Sequence, residues 1–183
     1  MRFARTAALI GLSAFIVSGC ITIVSLDQPY EAEAGKEFTT TVELRLAESG
    51  GEEEPETFLY GLLGFSVPKG WEITEVKTVK GKDIKPKWVE CPDTDITDAP
   101  GYGGEGNYPW TYFISREKYS SKTSANMGFT IEVKIKPAAK GRFELGYASG
   151  TADGPGESGE YTSSWGANEV NGGSVVFKRI WVE

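Results

Sequence analysis

Strict alternation of apolar and polar residues constrains the fold of this chain more than any other feature. Every second residue is apolar between residues 127 and 135, and the same spacing recurs, with one threonine among the apolar positions, between residues 37 and 47. A period of two places successive side chains on opposite faces of a strand, so each segment is predicted to be a half-buried β-strand. The predicted buried positions are Met127, Phe129, Ile131, Val133 and Ile135 in the first segment, and Phe38, Thr40, Val42, Leu44 and Leu46 in the second.

Several other segments have the composition of strands. Residues 108–114, 143–147 and 175–182 are candidates, and the nearly continuous apolar run 58–67 predicts a strand covered on both faces. Turn residues separate these segments, and no convincing helical period occurs beyond residue 20. We therefore predict an all-β fold, an Ig-like antiparallel β-sandwich of about seven to nine strands.

Two segments are long for connections between neighbouring strands. Residues 90–107 and 149–169 are rich in Gly, Pro, Ser, Asp and Glu. Such segments are predicted to be two long loops, and binding residues concentrate on loops that a rigid scaffold carries.

The N-terminal region has the pattern of an export signal. Arg2 and Arg5 precede an apolar stretch, which ends in the small residues Ser18 and Gly19 before Cys20. The stretch is shorter than the ~20 residues that a membrane-spanning helix needs. We expect residues 1–19 to be a signal peptide, residues 20–36 to form a lipidated N-terminus and tether, and residues 37–183 to form the sandwich domain.

The sequence Val17-Ser18-Gly19-Cys20 resembles the lipobox of bacterial lipoproteins. The resemblance implies that the Cys20 thiol is diacylated, with fatty acids such as palmitate, and that this residue becomes the first of the mature chain. Two or more acyl chains make a stable anchor where one chain is marginal. The expected location is the extracytoplasmic side of a cell membrane or outer membrane. An ordinary signal peptide with a cysteine near its end is the alternative.

Charge and composition exclude several classes of function. The net charge is −7, and removal of residues 1–19, which contain two arginines and no acid, makes it −9. An acidic surface repels phosphate backbones, so no nucleic-acid partner is expected. The absence of histidine excludes Ser-His-Asp and Cys-His machinery and histidine metal sites. Cys91 is predicted to start a loop without a catalytic role, and no enzymatic activity is expected.

Carboxylates are concentrated in the first predicted loop. Asp93, Asp95 and Asp98 lie close together, with Glu105 and Asn107 beyond them. Ca²⁺ takes six to eight oxygen ligands, which makes the three aspartates a candidate calcium site. Their spacing fits no EF-hand, so a solvated acidic loop is the alternative. The second acidic loop, with Asp153, Glu157 and Glu160, has the same two interpretations.

Aromatic residues are interleaved with these acids. Trp88, Tyr102, Tyr108, Trp110, Tyr112 and Phe113 fall within 26 residues, and Trp165 lies in the second predicted loop. Flat aromatic rings can stack on sugar rings while carboxylates accept hydroxyl protons, which makes Tyr102, Trp110 and Trp165 candidate ligand-binding residues. Packing in the core is the alternative, because alternating aromatics also line strand faces.

Three stretches carry a family resemblance. They are EAGKEFTTTVELRL, GFSVPKGWEI and FTIEVKIKPAAKGRFELGYASG, and together they span roughly residues 29–150. Their order is similar to that of bacterial extracytoplasmic Ig-like domains of the NEW3 and cohesin-like kind. The resemblance implies an Ig-like fold more than an activity.

The combined expectation is a membrane-anchored, non-catalytic binding or structural module of the cell envelope, whose partner is an envelope protein or a polysaccharide. A carbohydrate-binding module that uses the loop aromatics is one alternative. A calcium-dependent adhesion domain is another.

Overall fold

The computed structural model describes residues 21–47, 56–97, 100 and 108–183. These residues form eleven strands and one short 3-10 helix, Asp93–Asp95. In chain order the strands are β1 (Ile21–Asp27), β2 (Glu31–Ala32), β3 (Phe38–Leu46), β4 (Phe58–Ser66), β5 (Glu72–Gly81), β6 (Trp88–Cys91), β7 (Trp110–Ser120), β8 (Gly128–Lys136), β9 (Gly141–Asp153), β10 (Thr162–Trp165) and β11 (Val175–Val182).

The strands form two sheets that pack face to face. The smaller sheet has the order β1-β3-β8-β5, and the larger has the order β2-β11-β9-β4-β7-β6, with β10 paired to β9. All pairs are antiparallel except β2 with β11. The predicted all-β sandwich is therefore confirmed, with more strands than the seven to nine expected.

The alternating segments occupy the centre of the smaller sheet. In β3 the residues at 38, 40, 42, 44 and 46 are buried, and in β8 those at 129, 131, 133 and 135 are buried. Their side chains meet Leu63, Phe65, Leu145 and Tyr147 of the larger sheet in the main core. Burial of one face of each sheet is what the period of two predicts.

β4 lies between β7 and β9 in the larger sheet and is covered on both faces. Its inner residues Leu63 and Phe65 join the main core, whereas Leu62 joins a second apolar cluster on the outer face with Cys91, Ile96, Tyr112, Ile114 and Ala152. This double coverage explains why the segment reads as a nearly continuous apolar run.

A polar link crosses the core between the sheets. The Tyr147 hydroxyl donates to Gln28 Oε1 at 2.7 Å and accepts from Thr40 Oγ1 at 3.1 Å. Gln28 Nε2 in turn donates to the Arg179 carbonyl at 3.2 Å. Burial raises the pKa of Tyr147 well above its ordinary value, so the phenol stays protonated and can donate. Every polar atom of this chain of bonds thus has a partner.

The expected tether over residues 20–36 is corrected by the structure. β1 pairs with β3 along its length, from Ile21 opposite Leu46 to Asp27 opposite Thr41. Ile21 and Ile23 are buried in the main core. The apolar face of this short strand completes the smaller sheet, so the sandwich begins at Ile21 rather than near residue 37.

The two predicted long loops have different bounds from those expected. The first begins after β6, which includes residues 90 and 91, and the second is divided by the pairing of β9 with β10. Within the part of the chain that is described, no helix has the length and apolar character to cross a membrane.

Candidate functional site

The described residues between β6 and β7 contact the larger sheet and its loops, and Ile96 joins the outer-face cluster. The Tyr161 amide donates to the Asp95 carbonyl at 2.6 Å, and the Ser174 hydroxyl donates to the Pro100 carbonyl at 2.9 Å. At the end of the connection, the Tyr108 carbonyl accepts from a serine hydroxyl of β4 at 3.1 Å. The two segments predicted as loops therefore do meet, on a sheet face.

Two of the predicted ligand-binding residues pack in this region. Trp110 stacks on Tyr112, with ring centroids 6.4 Å apart and planes 9° apart, and Tyr112 contacts the Trp165 ring at 5.8 Å. Both indole rings lie over Gly64, where an added Cβ would come within 3.2 Å of each. Trp110 and Trp165 are thus partly buried against the sheet, and their role in ligand binding stays a prediction. Tyr102 lies outside the described residues.

The acidic segments do not form a described metal site. Asp93 and Asp95 belong to the 3-10 helix, while Asp98, Glu105 and Asn107 lie outside the described residues. In the hairpin between β9 and β10, Glu160 accepts a hydrogen bond from Ser158 at 3.2 Å. Among the residues that the structure describes, no group of three metal-ligating side chains occurs.

Cys91 is the last residue of β6 and lies in the outer-face cluster. Burial, together with the charge of Asp95, raises the pKa of the thiol. Because the thiolate is the nucleophilic form, this environment suits a packed side chain rather than a reactive one.

The outer face of the smaller sheet carries an ordinary network of charges. Glu75 accepts from Lys134 at 2.8 Å and from Lys77 at 3.3 Å, and these bonds lower the pKa of the Glu75 carboxyl. Lys77 also approaches Glu132 at 3.6 Å. Paired, solvated charges of this kind contribute little to stability and offer no apolar contact surface.

The outer face of the larger sheet is different, because aromatic rings remain exposed on it. Residues of β9 and β11 line an open groove of about 570 Å³, together with Tyr30 just before β2 and Tyr108 just before β7. We call it the aromatic–arginine groove. Its aromatic and charged members are Tyr30, Tyr108, Arg142, Glu144, Arg179 and Trp181. Tyr30 is 86% exposed and Trp181 is 41% exposed. Exposed aromatic side chains that share one surface mark interaction sites.

Strand register explains why these side chains meet. Trp181 lies opposite Arg142, and Arg179 lies opposite Glu144, in the β9–β11 pair. The Trp181 amide donates to the Tyr30 carbonyl at 2.8 Å, which fixes Tyr30 beside β11. In β11 the inward residues are buried, and the alternate residues therefore point outward.

The groove carries cationic groups on an acidic protein. The Arg142 guanidinium lies over the Trp181 ring, 5.1 Å from its centroid, and Arg179 Nε approaches Glu144 Oε1 at 3.3 Å. No ion pair joins Arg142 to a carboxylate in the described parts of the chain. Arg142 is thus stacked on an aromatic ring while its donors remain available to a ligand.

Sequence reasoning missed this groove, although one signal for it was present. The alternation in residues 175–182 places Phe177, Arg179 and Trp181 on one face and buries Val176, Ile180 and Val182 on the other. An outward row of large aromatic side chains is unusual for a solvated strand face.

Comparisons with known proteins identify no family for this chain. No family model matches the sequence, and no curated protein matches it. Among solved structures, a cohesin module from the family 33 glycoside hydrolase of Clostridium perfringens ATCC13124 is similar, with 10% identity, a TM-score of 0.40, and coverage of 91% of this chain and 98% of that chain. The structure of AvmM, described as catalysing macrocyclization in alchivemycin A biosynthesis, has 8% identity, a TM-score of 0.43, and coverage of 90% and 89%. Neither likeness is close enough to assign a function.

Proposed function

We propose that this protein is a lipid-anchored, extracytoplasmic binding module of the cell envelope, without catalytic activity. The aromatic–arginine groove is the observation that carries the proposal. It concentrates exposed aromatic rings and arginines on one sheet face. Export and the lipid anchor are supported by the lipobox resemblance at Cys20, which lies outside the described residues.

A protein partner fits this surface best. Tyr, Trp and Arg are the residues most enriched at protein-binding hot spots, and the groove contains all three types. Phe177 is also exposed, and its ring lies on the same sheet face, beside Gly146. The groove therefore extends as an aromatic strip toward Trp110 rather than forming a deep pocket for a small molecule.

The partner surface is proposed to carry carboxylates. Arg142 has no ion pair among the described residues, and the Arg179 side chain is 89% exposed despite its contact with Glu144. A guanidinium presents a planar set of donors that matches a carboxylate in a bidentate arrangement. An acidic protein segment would satisfy both arginines, whereas the acidic surface of this chain repels nucleic acid.

A carbohydrate is the second candidate ligand, because the Tyr30 ring is exposed and free to stack on a sugar. Titration with a panel of soluble glycans, read by tryptophan fluorescence, separates the two. A saturable change in fluorescence that is absent from Trp181→Ala would show that the groove binds a glycan rather than a protein.

We expect the lipid anchor to depend on one residue. Cells given labelled palmitate should incorporate the label into the wild-type protein and not into Cys20→Ala, because only the Cys20 thiol lies in the lipobox sequence. Cys91→Ala is the matched control and should incorporate label normally, since its thiol is buried in the fold. Absence of label from the wild-type protein would refute the lipid anchor but would not bear on the groove as a binding surface.

Substitutions in the groove should weaken partner binding without unfolding the domain. Truncation of a hot-spot residue costs about 2 kcal/mol or more, roughly 30-fold in affinity. We therefore expect Trp181→Ala and Arg142→Ala to reduce recovery of one partner from the native envelope. Phe58→Ala removes a 54% exposed aromatic residue elsewhere on the domain and serves as the matched control. Equal recovery by all three variants would refute the groove as the binding surface.

A further inference from the structure

The residue next to the proposed anchor is held rigidly by the fold. Ile21 is 0% exposed and is paired with Leu46 at the edge of the smaller sheet. Its carbonyl accepts a hydrogen bond from the Ser149 hydroxyl of the larger sheet at 2.8 Å. A lipid attached to Cys20 is therefore one peptide bond away from a residue that both sheets hold in place.

The turn between β7 and β8 lies at this same end of the sandwich. The Asn126 amide donates to the Leu46 carbonyl at 2.8 Å, and the Leu46 amide donates to the Met127 carbonyl at 3.0 Å. Since Leu46 is also the partner of Ile21, the turn that contains Thr123 is adjacent to the proposed anchor. We call this the anchor end.

The aromatic–arginine groove lies at the opposite end. β8 runs from the anchor end to the turn at residues 137–140, and β9 begins there at Gly141, opposite Val182. Arg142 and Trp181 are the next pair in this register. Nine residues of strand at ~3.3 Å per residue place the two turns nearly 30 Å apart.

We infer that the lipid anchor holds the sandwich end-on, with the groove facing away from the bilayer toward a partner in the aqueous space. This inference rests on the proposed lipidation of Cys20. An attachment without a tether keeps the anchor end at the headgroups, because a rigid connection has none of the reach of a flexible linker.

Fluorescent labels at the two turns test the orientation. In a Cys91→Ala background, Thr123→Cys places a label at the anchor end and Ala139→Cys places one at the groove end, both at exposed positions. The lipidated protein is reconstituted in vesicles that contain lipids with a nitroxide on the headgroup. We expect strong quenching of the label at residue 123 and little at residue 139.

A linker variant supplies the matched control. Ten Gly and Ser residues inserted after Cys20 would give the domain a reach of roughly 17 Å, and the difference in quenching between the two labels should shrink. Equal quenching of the two labels in the native chain would overturn the end-on orientation. Failure of the protein to bind vesicles at all would instead overturn the lipid anchor, so the two failures are distinguishable.

Discussion

A chain that begins at Gln28 should fail to fold. It lacks β1, which buries Ile21 and Ile23 in the main core and covers the edge of β3. Each buried isoleucine contributes about 1.5–3 kcal/mol, and the exposed edge and vacated space add to the loss. The free energy of unfolding of a whole domain is only about 5–15 kcal/mol, so the loss of the strand removes most of it.

Circular dichroism during heating measures this effect. A chain that begins at Ile21 should melt cooperatively, whereas the chain that begins at Gln28 should show no cooperative transition. Within the strand, Ile23→Ala should lower stability by about 2–5 kcal/mol, while Val24→Ala, on the partly exposed outer side, should cost much less. A Gln28 chain that melts within a few degrees of the longer one would show that residues 21–27 are dispensable.

Loss of the Tyr147 side chain should cause the second large effect. Tyr147 is among the largest fully buried side chains, and its hydroxyl joins Gln28 and Thr40 across the core. Tyr147→Ala should cost about 3–5 kcal/mol through the cavity, with more from the unpaired polar groups. Tyr147→Phe keeps the ring and should cost about 1–3 kcal/mol, because it removes only the hydrogen bonds.

Urea unfolding of the two variants separates packing from hydrogen bonding at this position. Thr162→Ala, at an exposed position of β10, is the control and should change stability by less than about 0.5 kcal/mol. If Tyr147→Phe were as stable as the wild type, the polar link would have no role in holding the sheets together.

Local pattern was sufficient to predict the centre of the sandwich. β3 and β8 alternate along their whole length, with Thr40 as the one polar residue on the buried face, and each observed bound differs from the predicted one by a single residue. β4 was predicted as doubly covered because its apolar run has no polar face. Such features depend on each residue's own neighbours in sequence, so no knowledge of the tertiary structure was needed.

β1 was missed for a different reason. Its apolar residues follow directly on the apolar N-terminal stretch, and only Ile21 and Ile23 are deeply buried, so the period of two is too short to stand out. β1 is a strand through its pairing with β3 and its contact with Ser149 of β9, and both partners are distant from it in sequence.

The candidate site was missed because its residues come from distant parts of the chain. Tyr30, Arg142 and Trp181 meet only through the order of strands in the larger sheet. By contrast, Trp110 and Tyr112 are close in sequence, and in the structure the Trp110 ring lies over Gly64 and stacks on Tyr112. Residues close in sequence therefore form the packed cluster, which a sequence can reveal. The exposed groove forms from distant residues, and only the order of the strands brings them together.

Photocross-linking in intact cells of the native host tests the central claim most directly. A photoreactive amino acid replaces Tyr30, the most exposed aromatic residue of the groove, and in a parallel strain it replaces Phe58. We predict one discrete cross-linked protein from position 30, lost when Arg142→Ala is added, and no such product from position 58. No cross-linked protein from position 30, or the same product from both positions, would contradict the assignment of the groove as the binding surface.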